Sequence, residues 1–508
     1  MSSSRPRSGW LRSVVLLAAF ALAGAGCVGE GDASGRDESA AKSGGSGPEI
    51  TQREPDQANC PLDALEQADG PVDVTVWHGL VGVPASVLEE FAAEYNASQD
   101  QVRVSVESQG DYEELFAEYT TAMRSSSVAD LPDVVLAQDT DTRFLVDSGT
   151  VVAADDCIAA DSGAEEHYDT LADFVRATYT VDGVLWPAAF GVASPVLYYN
   201  RAHLEQAGLD PDDPPDSLEE LRETAEAIKA VRPEGHPLAF RAHSWWIENL
   251  AAGNGDELVD EDNGRSGIAR ESELENDTVV EVVEWMVDMV DDGLMTVFAN
   301  SQVSEAPMAV IRPAPDNSSM LIDTSSAVTT LDALLGGEVT GDQVGLPGVE
   351  VAEVVDIGVG ELPGLREAGT GQVAGNAWYL VNAGEPERIA AAWDFLRWVN
   401  ETPQQVMWTM QGSYLPVWAG ALEDPELRTY LADTRPGRWL AVASRSLASI
   451  DPEFPGPLIG PAVQFREATR TALERVLIDG RPVDEELESA DAAVQRALEE
   501  YLGDVGEG

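Results

Sequence analysis

The feature that most constrains the fold is an alternation of strand and helix patterns near the start of the folded part. Three segments read as strands, and the last of them is a continuous apolar run of the kind that a parallel sheet buries on both faces. Two intervening segments place apolar side chains at helical spacing. The five segments, in order, are VDVTVW (72–77), PASVLEEFAAEYNAS (84–98), VRVSVES (102–108), YEELFAEYTTAM (112–123) and LPDVVLA (131–137). This order predicts an α/β layer.

Length and charge narrow the class of protein. A chain of 508 residues predicts two or three domains, or one large two-lobed unit. It carries 91 acidic and 30 basic residues, a net charge of −61, and only two lysines. Nucleic-acid binding needs a basic face, so no nucleic-acid partner is expected. The acidity predicts a solvated, self-repelling surface, of which adaptation to high salt is a special case.

The N-terminus predicts export and lipidation. Arg5, Arg7 and Arg12 precede an apolar run at 14–26, which is too short to span a bilayer and fits a secretory signal. Cys27 follows, as in a bacterial lipoprotein signal, although Gly24 stands where leucine is usual. We therefore predict a signal peptide at 1–26, a lipid on Cys27 that anchors the chain to a membrane, and a flexible acidic tether at 27–70.

Only Cys60 and Cys157 then remain, in a compartment where disulfides form. A bridge between them would close a loop of about 97 residues and stabilise the fold by roughly 4 to 5 kcal/mol. The alternative is two unrelated thiols.

Several kinds of chemistry have no motif in this chain. There is no P-loop, no H-E-x-x-H and no G-x-S-x-G, and the five histidines lack ligand spacing. DELVDEDNG, at 256–264, is acidic but lacks the register of an EF-hand, so it is interpreted as a solvated loop. No metal and no cofactor are expected.

Four segments together resemble the extracellular solute-binding proteins of bacterial ABC importers. The segments read TVWHGLVG, VLEEFAAEYNAS, YYNRAHLEQAGLDPDDPPDSLEEL and AAAWDFLRWVNETPQQVMWTMQGSYLPV, and the likeness as a whole covers roughly residues 72 to 480. The chain is most similar to the sugar-binding family 1 proteins, in their glycerol-3-phosphate and glycerophosphodiester branch. The resemblance implies a two-lobed, type II periplasmic-binding-protein-like α/β fold that closes on a ligand by a hinge motion.

The same resemblance implies how the chain is divided between the lobes. LWPAAFGVASPVLYYN, at 185–200, is interpreted as a strand that crosses between them. The predicted order is lobe 1 at 71–190, lobe 2 at 191–320, a return to lobe 1 at 321–373, and lobe 2 again at 374–508.

The family's ligand-binding positions are carried over to ten residues: Tyr112, Asp139, Ser194, Trp245, Trp246, Ser325, Ser326, Gly375, Tyr414 and Arg466. Aromatic rings would stack on a sugar face or a cation, and Arg466 would bind phosphate or hydroxyl groups. Two adjacent tryptophans cannot easily share one core, so one is expected to pack and the other to face the ligand. The W-I-x-N-L pattern that follows Trp245 favours Trp245 as the ring that faces the ligand.

The resemblance thus implies a monomeric, non-enzymatic, lipid-anchored protein on the extracellular face of the membrane. It would pass a small polar solute, a carbohydrate or a glycerol-phosphate compound, to ABC permease subunits. A secreted carbohydrate-active enzyme with two cleft carboxylates is the main alternative, and an adhesion or sensor lipoprotein is a third.

Overall fold

A computed structural model describes residues 53–124, 130–302, 305–312, 314–344, 355–367, 369 and 371–506. The predicted signal peptide, Cys27 and most of the predicted tether lie outside these residues. No helix among the described residues has both the length and the apolar character that a membrane crossing requires.

Thirteen strands are described in these ranges. They are β1 Val72–His78, β2 Val102–Ser108, β3 Val134–Gln138, β4 Val151–Val152, β5 Thr180–Val181, β6 Val184–Leu185, β7 Ala189–Ala193, β8 Pro195–Asn200, β9 Leu238–Arg241, β10 Met295–Phe298, β11 Met320–Thr324, β12 Ile357–Glu361 and β13 Ala374–Val381.

The described α-helices number twenty-one. They are α1 Asp63–Glu66, α2 Val83–Ser98, α3 Tyr112–Met123, α4 Thr142–Asp147, α5 Ala154–Ala160, α6 Glu165–Tyr168, α7 Asp173–Tyr179, α8 Arg201–Gln206, α9 Leu218–Val231, α10 Trp245–Gly253, α11 Asp260–Gly264, α12 Asp277–Asp291, α13 Glu305–Ile311, α14 Val328–Gly336, α15 Pro386–Val399, α16 Thr402–Gly412, α17 Ala419–Glu423, α18 Pro425–Asp433, α19 Arg435–Ala448, α20 Ala462–Leu477 and α21 Val483–Gly506.

The predicted strand–helix alternation is confirmed. Strands β1, β2 and β3 and helices α2 and α3 occupy the five predicted segments to within three residues at each end. β1 pairs in parallel with both β2 and β3, which requires the intervening helices to act as crossovers. β3 is buried along almost its whole length, as its continuous apolar run predicts.

The first sheet has the strand order β2-β1-β3-β13, and β4 and β7 both pair with the far side of β13. β13 runs antiparallel to β3. Helix α15 packs against this sheet and buries a stripe of apolar side chains, Ile389, Trp393, Leu396 and Val399. We call the part of the chain built on this sheet the first lobe.

The second sheet has the order β10-β9-β11-β8-β12. β9 pairs in parallel with β10 and β11, whereas β8 pairs antiparallel with β11 and β12. Helices α12, α20 and α21 pack on one another and share a hydrophobic core with this sheet. This part of the chain is the second lobe, and two α/β lobes confirm the predicted fold class.

Along the part of the chain that the structure describes, three crossings connect the lobes. The first crossing is at Ser194, between β7 of the first sheet and β8 of the second, within the segment interpreted from the sequence as a crossing strand. The second lies between β12 and β13. The third lies between the helices packed on the first lobe, up to Asp433, and α20 of the second lobe.

Sheet membership corrects the last two predicted lobe segments. The segment 321–373, predicted to return to lobe 1, contains β12 and most of β11, which belong to the second sheet. The segment 374–508, predicted to be lobe 2, begins with β13, which is central to the first sheet. The prediction placed the return one segment too early, because β11 and β12 extend the second sheet antiparallel to β8 before the chain leaves it.

The predicted disulfide between Cys60 and Cys157 is confirmed. Both cysteines are buried in the first lobe's core. The bridge ties the segment before β1 to helix α5, and the same junction carries hydrogen bonds to the Asp156 carboxylate from the Asp56 backbone N–H, at 2.7 Å, and from Asn59 Nδ2, at 3.0 Å.

Candidate functional site

The loop after β2 places Tyr112 at the first turn of α3. Gly110 takes a left-handed conformation, with φ of +95°. Asp111 then caps the helix, accepting from the Glu114 backbone N–H at 2.9 Å, while the Glu114 carboxylate accepts from the Asp111 N–H at 3.2 Å. This capping box fixes where α3 begins, and therefore where the Tyr112 ring lies.

The first lobe contributes a second set of side chains at the end of β3. A short 3-10 turn, Asp139–Asp141, follows the strand directly. The Asp141 carboxylate accepts from the Gln138 backbone N–H at 3.1 Å. Burial raises the pKa of Asp139 to about 6, with Arg466 opposing the shift, and burial together with the Asp139 charge raises the pKa of Asp141 to about 7.

The second lobe presents an arginine to this turn. Arg466, on α20, lies 3.9 Å from the Asp139 carboxylate across the two lobes, Nη2 to Oδ2. Arg466 also donates to Glu248 of α10, from Nε to Oε1 at 2.9 Å and from Nη2 to Oε2 at 2.7 Å. Only 1% of the Glu248 side chain is exposed, and Gln372 Nε2 donates to it at 3.0 Å. Burial works to raise the pKa of Glu248, but Arg466 and these hydrogen bonds hold it below its ordinary value.

Tyr414 reaches Tyr112 from the end of α16. Ser413 takes a left-handed conformation there, and the Leu415 N–H donates to the Val192 carbonyl of β7 at 2.7 Å. The Tyr414 and Tyr112 hydroxyls lie 3.4 Å apart. Tyr414 also stacks on Trp408, with ring centroids 4.6 Å apart.

Asn376 of β13 anchors this tyrosine pair. Its Nδ2 donates to the Tyr112 hydroxyl at 3.0 Å, and its Oδ1 accepts from Trp378 Nε1 at 2.9 Å. Asn376 fits only because its strand neighbour is glycine: a Cβ on Gly191 would lie 2.6 Å from both amide atoms of Asn376.

Gly375 is required at the same place. It has φ of +114°, and a Cβ there would lie 2.1 Å from the Gly191 carbonyl oxygen. The residue therefore shapes the β7–β13 pairing beneath the tyrosines.

A cavity of about 270 Å³ lies between the lobes at this point. The first lobe lines it with Tyr112, Glu113, Phe116, Gln138, Thr140 and Asp141. The second lobe lines it with His243, Ser244, Asn300, Val463, Arg466, Glu467 and Arg470. Of the ten predicted residues, Tyr112 and Arg466 line this cavity, and Asp139 and Tyr414 contact those two.

The adjacent tryptophans begin helix α10 and both lie in the second lobe's core. Their ring centroids are 4.9 Å apart. Trp246 is 3% exposed, and its Nε1 donates to the Arg241 carbonyl at 3.1 Å. Trp245 is 9% exposed, and its buried Nε1 has no hydrogen-bond partner among the described residues. Neither ring lines the 270 Å³ cavity.

The three predicted serines surround the first crossing. The Ser194 N–H donates to Ser325 Oγ at 3.0 Å, and the Ser325 N–H donates to the Ser194 carbonyl at 2.8 Å. Ser326 Oγ lies 3.0 Å from Thr324 Oγ1. Ser194 and Ser325 are wholly buried, so in this conformation they join β8 to the end of β11.

Sequence reasoning missed Glu248, Asn376 and Asp141. Glu248 had a local signal, because it is the one acid in the apolar run WWIENLAA, one helical turn after Trp245. Asn376 had a weaker signal as a lone amide inside a buried strand. Asp141 had none, since it is one acid of two in DTD.

No set of three or more histidine, cysteine or acidic side chains in the described ranges is placed to hold a metal ion. The site is instead one of hydrogen-bonding groups and aromatic rings.

Two α/β lobes joined by three crossings, with polar and aromatic side chains meeting at a cavity between them, define a cleft-type solute-binding protein. The chain belongs to the bacterial extracellular solute-binding protein family, whose model matches residues 90–433. Proteins of this family are the extracellular or periplasmic components of ABC importers, which bind small solutes and deliver them to the permease.

Curated relatives include the sn-glycerol-3-phosphate-binding periplasmic protein UgpB of Brucella abortus, 26% identical over 379 residues, which are 73% of this chain and 80% of that one. The UgpB of Yersinia enterocolitica is 23% identical over 431 residues, 82% of this chain and 90% of that one. These relatives are binding proteins of transporters, so the comparisons do not support the alternative of a carbohydrate-active enzyme.

Solved structures share the fold. UgpB from Mycobacterium tuberculosis in complex with glycerophosphocholine superposes with a TM-score of 0.67 at 19% identity, over 86% of this chain and 100% of that one. The cyclic alpha-maltosyl-1,6-maltose binding protein from Arthrobacter globiformis superposes with a TM-score of 0.63 at 21% identity, over 84% of this chain and 99% of that one.

Proposed function

We propose that this chain is a monomeric, lipid-anchored solute-binding subunit that captures a carbohydrate or a glycerol-phosphate compound between its lobes. The observation that carries the proposal is the meeting of Tyr112 and Asp139 from one lobe with Arg466 from the other, beside a 270 Å³ cavity. A ligand held there would contact both lobes, so its binding energy would favour the closed arrangement.

The ten residues carried over from the family have different parts in this proposal. Tyr112, Asp139, Tyr414 and Arg466 contact the solute directly. Trp245 is assigned to the solute as well, because its buried indole N–H has no partner among the described residues and would gain one in the solute. Trp246 supports it from the core. Ser194, Ser325, Ser326 and Gly375 contribute at the crossing strands, where the hinge would bend.

A thermal-shift screen tests the solute class. The panel contains neutral sugars, polyols, glycerol-3-phosphate and glycerophosphodiesters. A ligand at 100 times its Kd stabilises the native state by about 2.7 kcal/mol. We expect at least one member to raise the melting temperature, and Tyr112→Ala to abolish that shift.

Tyr430→Ala is the control, because Tyr430 is also half-buried but its hydroxyl donates to the Met410 carbonyl away from the cavity. Failure of every member to shift the wild-type protein would contradict the proposal.

The lipid anchor rests on the sequence before residue 28 and needs its own test. Cells expressing the full chain or its Cys27→Ser variant are fractionated, and the mature N-terminus is identified by mass spectrometry. We expect the wild-type chain to begin at a diacylated Cys27 in the membrane fraction and the variant to lose the lipid. An unmodified wild-type N-terminus at any other residue would contradict lipidation.

A further inference from the structure

We infer that the cleft selects a neutral polyhydroxylated solute, a sugar or polyol, over a phosphate ester. This inference rests on the proposed function and names the solute class within it. Its basis is that Arg466, the guanidinium that a phosphate would use, already has an internal carboxylate partner.

The Glu248 carboxylate uses the kind of guanidinium donors that a phosphate would use. An arginine binds phosphate or carboxylate through two parallel N–H donors. The Glu248 carboxylate already accepts from one such pair of donors. Arg466 Nε donates to Oε1 at 2.9 Å, and Nη2 donates to Oε2 at 2.7 Å. Asp139 Oδ2 lies 3.9 Å from the same Nη2 atom of Arg466. A phosphate at the remaining edge would therefore approach two carboxylates as well as the guanidinium.

Charge around the cavity points the same way. Arg470 is the other arginine in the lining, and it pairs with Glu474 at 3.6 Å. Glu113 and Glu467 also line the cavity, as does Asp141, whose raised pKa of about 7 leaves it only partly ionised at neutral pH. Burial and nearby arginines lower the pKa of His243 well below its ordinary value, so that ring adds no positive charge near neutral pH. Like charges about 4 Å apart repel by roughly 1 kcal/mol in water and more in a less polar site, so a dianion is disfavoured.

A neutral polyol meets the same groups favourably. Carboxylates are strong acceptors for hydroxyl groups, and Glu113, Asp139 and Asp141 offer them at or beside the cavity. The rings of Tyr112 and Phe116 in the lining provide apolar faces against which the C–H groups of a sugar can pack. The buried pair of Arg466 and Glu248 then orients these groups without requiring charge on the solute.

Isothermal titration of the full chain tests the inference. The probes are glucose, maltose, trehalose and glycerol as neutral solutes, glycerol-3-phosphate as the monoester, and glycerophosphocholine as the diester. Wild type is compared with Glu248→Gln, which removes the charge opposite Arg466. Glu486→Gln is the matched control, because Glu486 is also buried and paired with arginines but lies outside the cleft, between α20 and α21.

We expect wild type to bind a neutral probe more tightly than either phosphate ester. Glu248→Gln should raise the affinity for glycerol-3-phosphate by about tenfold or more, because it removes one nearby negative charge, and Glu486→Gln should not. Tighter binding of either ester than of every neutral probe by wild type would overturn the inference and leave the proposed function standing. Binding of no probe at all would count against the proposed function itself. The wild-type comparison needs no variant, so it decides the question even where Glu248→Gln does not fold.

Discussion

Arg466 donates through both Nε and Nη2 to the buried carboxylate of Glu248, although the two residues lie 218 positions apart, on α20 and α10. The contact joins two helices of the second lobe directly beside the cleft. Arg466 therefore has a structural role as well as its proposed role in binding, and the two can be separated by experiment.

Removing one member of this pair should cost more stability than removing both. Arg466→Met leaves Glu248 buried without its cation, and we expect the unfolding free energy to fall by about 3 to 5 kcal/mol. The double variant Arg466→Met/Glu248→Leu should recover most of that loss, because apolar pairs of similar volume replace buried ion pairs at little cost. Urea denaturation measures both. A double variant as unstable as Arg466→Met would contradict this account of the pair.

Gly375 should tolerate no side chain. In Gly375→Ala the new Cβ would lie 2.1 Å from the Gly191 carbonyl oxygen, at φ of +114°. We expect a loss of more than about 4 kcal/mol in unfolding free energy, a size reserved for severe steric or strain effects. Gly149→Ala is the control, since Gly149 also has positive φ, +67°, but open space around it. Its loss should be about 1 to 2 kcal/mol, from backbone strain alone. Equal losses in the two variants would show that the close approach to Gly191 is unimportant.

The disulfide should contribute substantially to stability. Its cysteines are separated by 97 positions, and a cross-link of that length lowers the unfolded chain's entropy by an amount worth about 4 to 5 kcal/mol. The Cys60→Ser/Cys157→Ser variant should unfold at lower temperature and lower denaturant concentration than wild type in non-reducing buffer. In strong reductant the difference between the two proteins should disappear. A difference that persists after complete reduction would assign the effect to packing instead.

Stability should fall as pH rises from about 4 to 7. Burial raises the pKa of Asp141 from 3.8 to about 7 and that of Asp139 to about 6. Over this interval the native state holds protons that the unfolded state releases, so the unfolding free energy decreases with pH. One proton gives a slope of up to about 1.4 kcal/mol per pH unit.

Asp141→Asn keeps an acceptor for the Gln138 N–H and should flatten that slope. Asp169→Asn, at an exposed position, should leave it unchanged. Chemical denaturation at several pH values measures the slope for each protein. A slope that Asp141→Asn does not alter would contradict the assignment of the titration to Asp141.

Local patterns in the sequence predicted local structure well. The alternation from 72 to 137 predicted five elements, and the segment 185–200, interpreted as a crossing strand, contains the crossing that the structure places at Ser194. These features depend on residues that are neighbours in the chain. The disulfide was predicted for a different reason, because only two cysteines were left to pair.

What depended on distant pairings was harder to predict. β13 lies between β3 and β7 although more than 180 residues separate it from either, and no local pattern says which sheet a buried strand will join. The contact between Glu248 and Arg466 likewise joins residues that are far apart in the sequence, so no local pattern predicts it. The family resemblance predicted Arg466 as a ligand-binding residue, but it did not predict Glu248, the carboxylate to which Arg466 donates.

The most direct test of the central claim is a distance measurement between the lobes. Spin labels are placed on exposed positions of α2 and α9, through Glu90→Cys and Glu223→Cys in a Cys27→Ser background, with the native disulfide intact. Pulsed electron paramagnetic resonance then gives the distance distribution with and without a saturating concentration of the ligand identified by thermal shift. We predict that ligand shortens and narrows the distribution, and that Tyr112→Ala prevents the change. A ligand that binds with an unchanged distribution would contradict capture by closure of the two lobes.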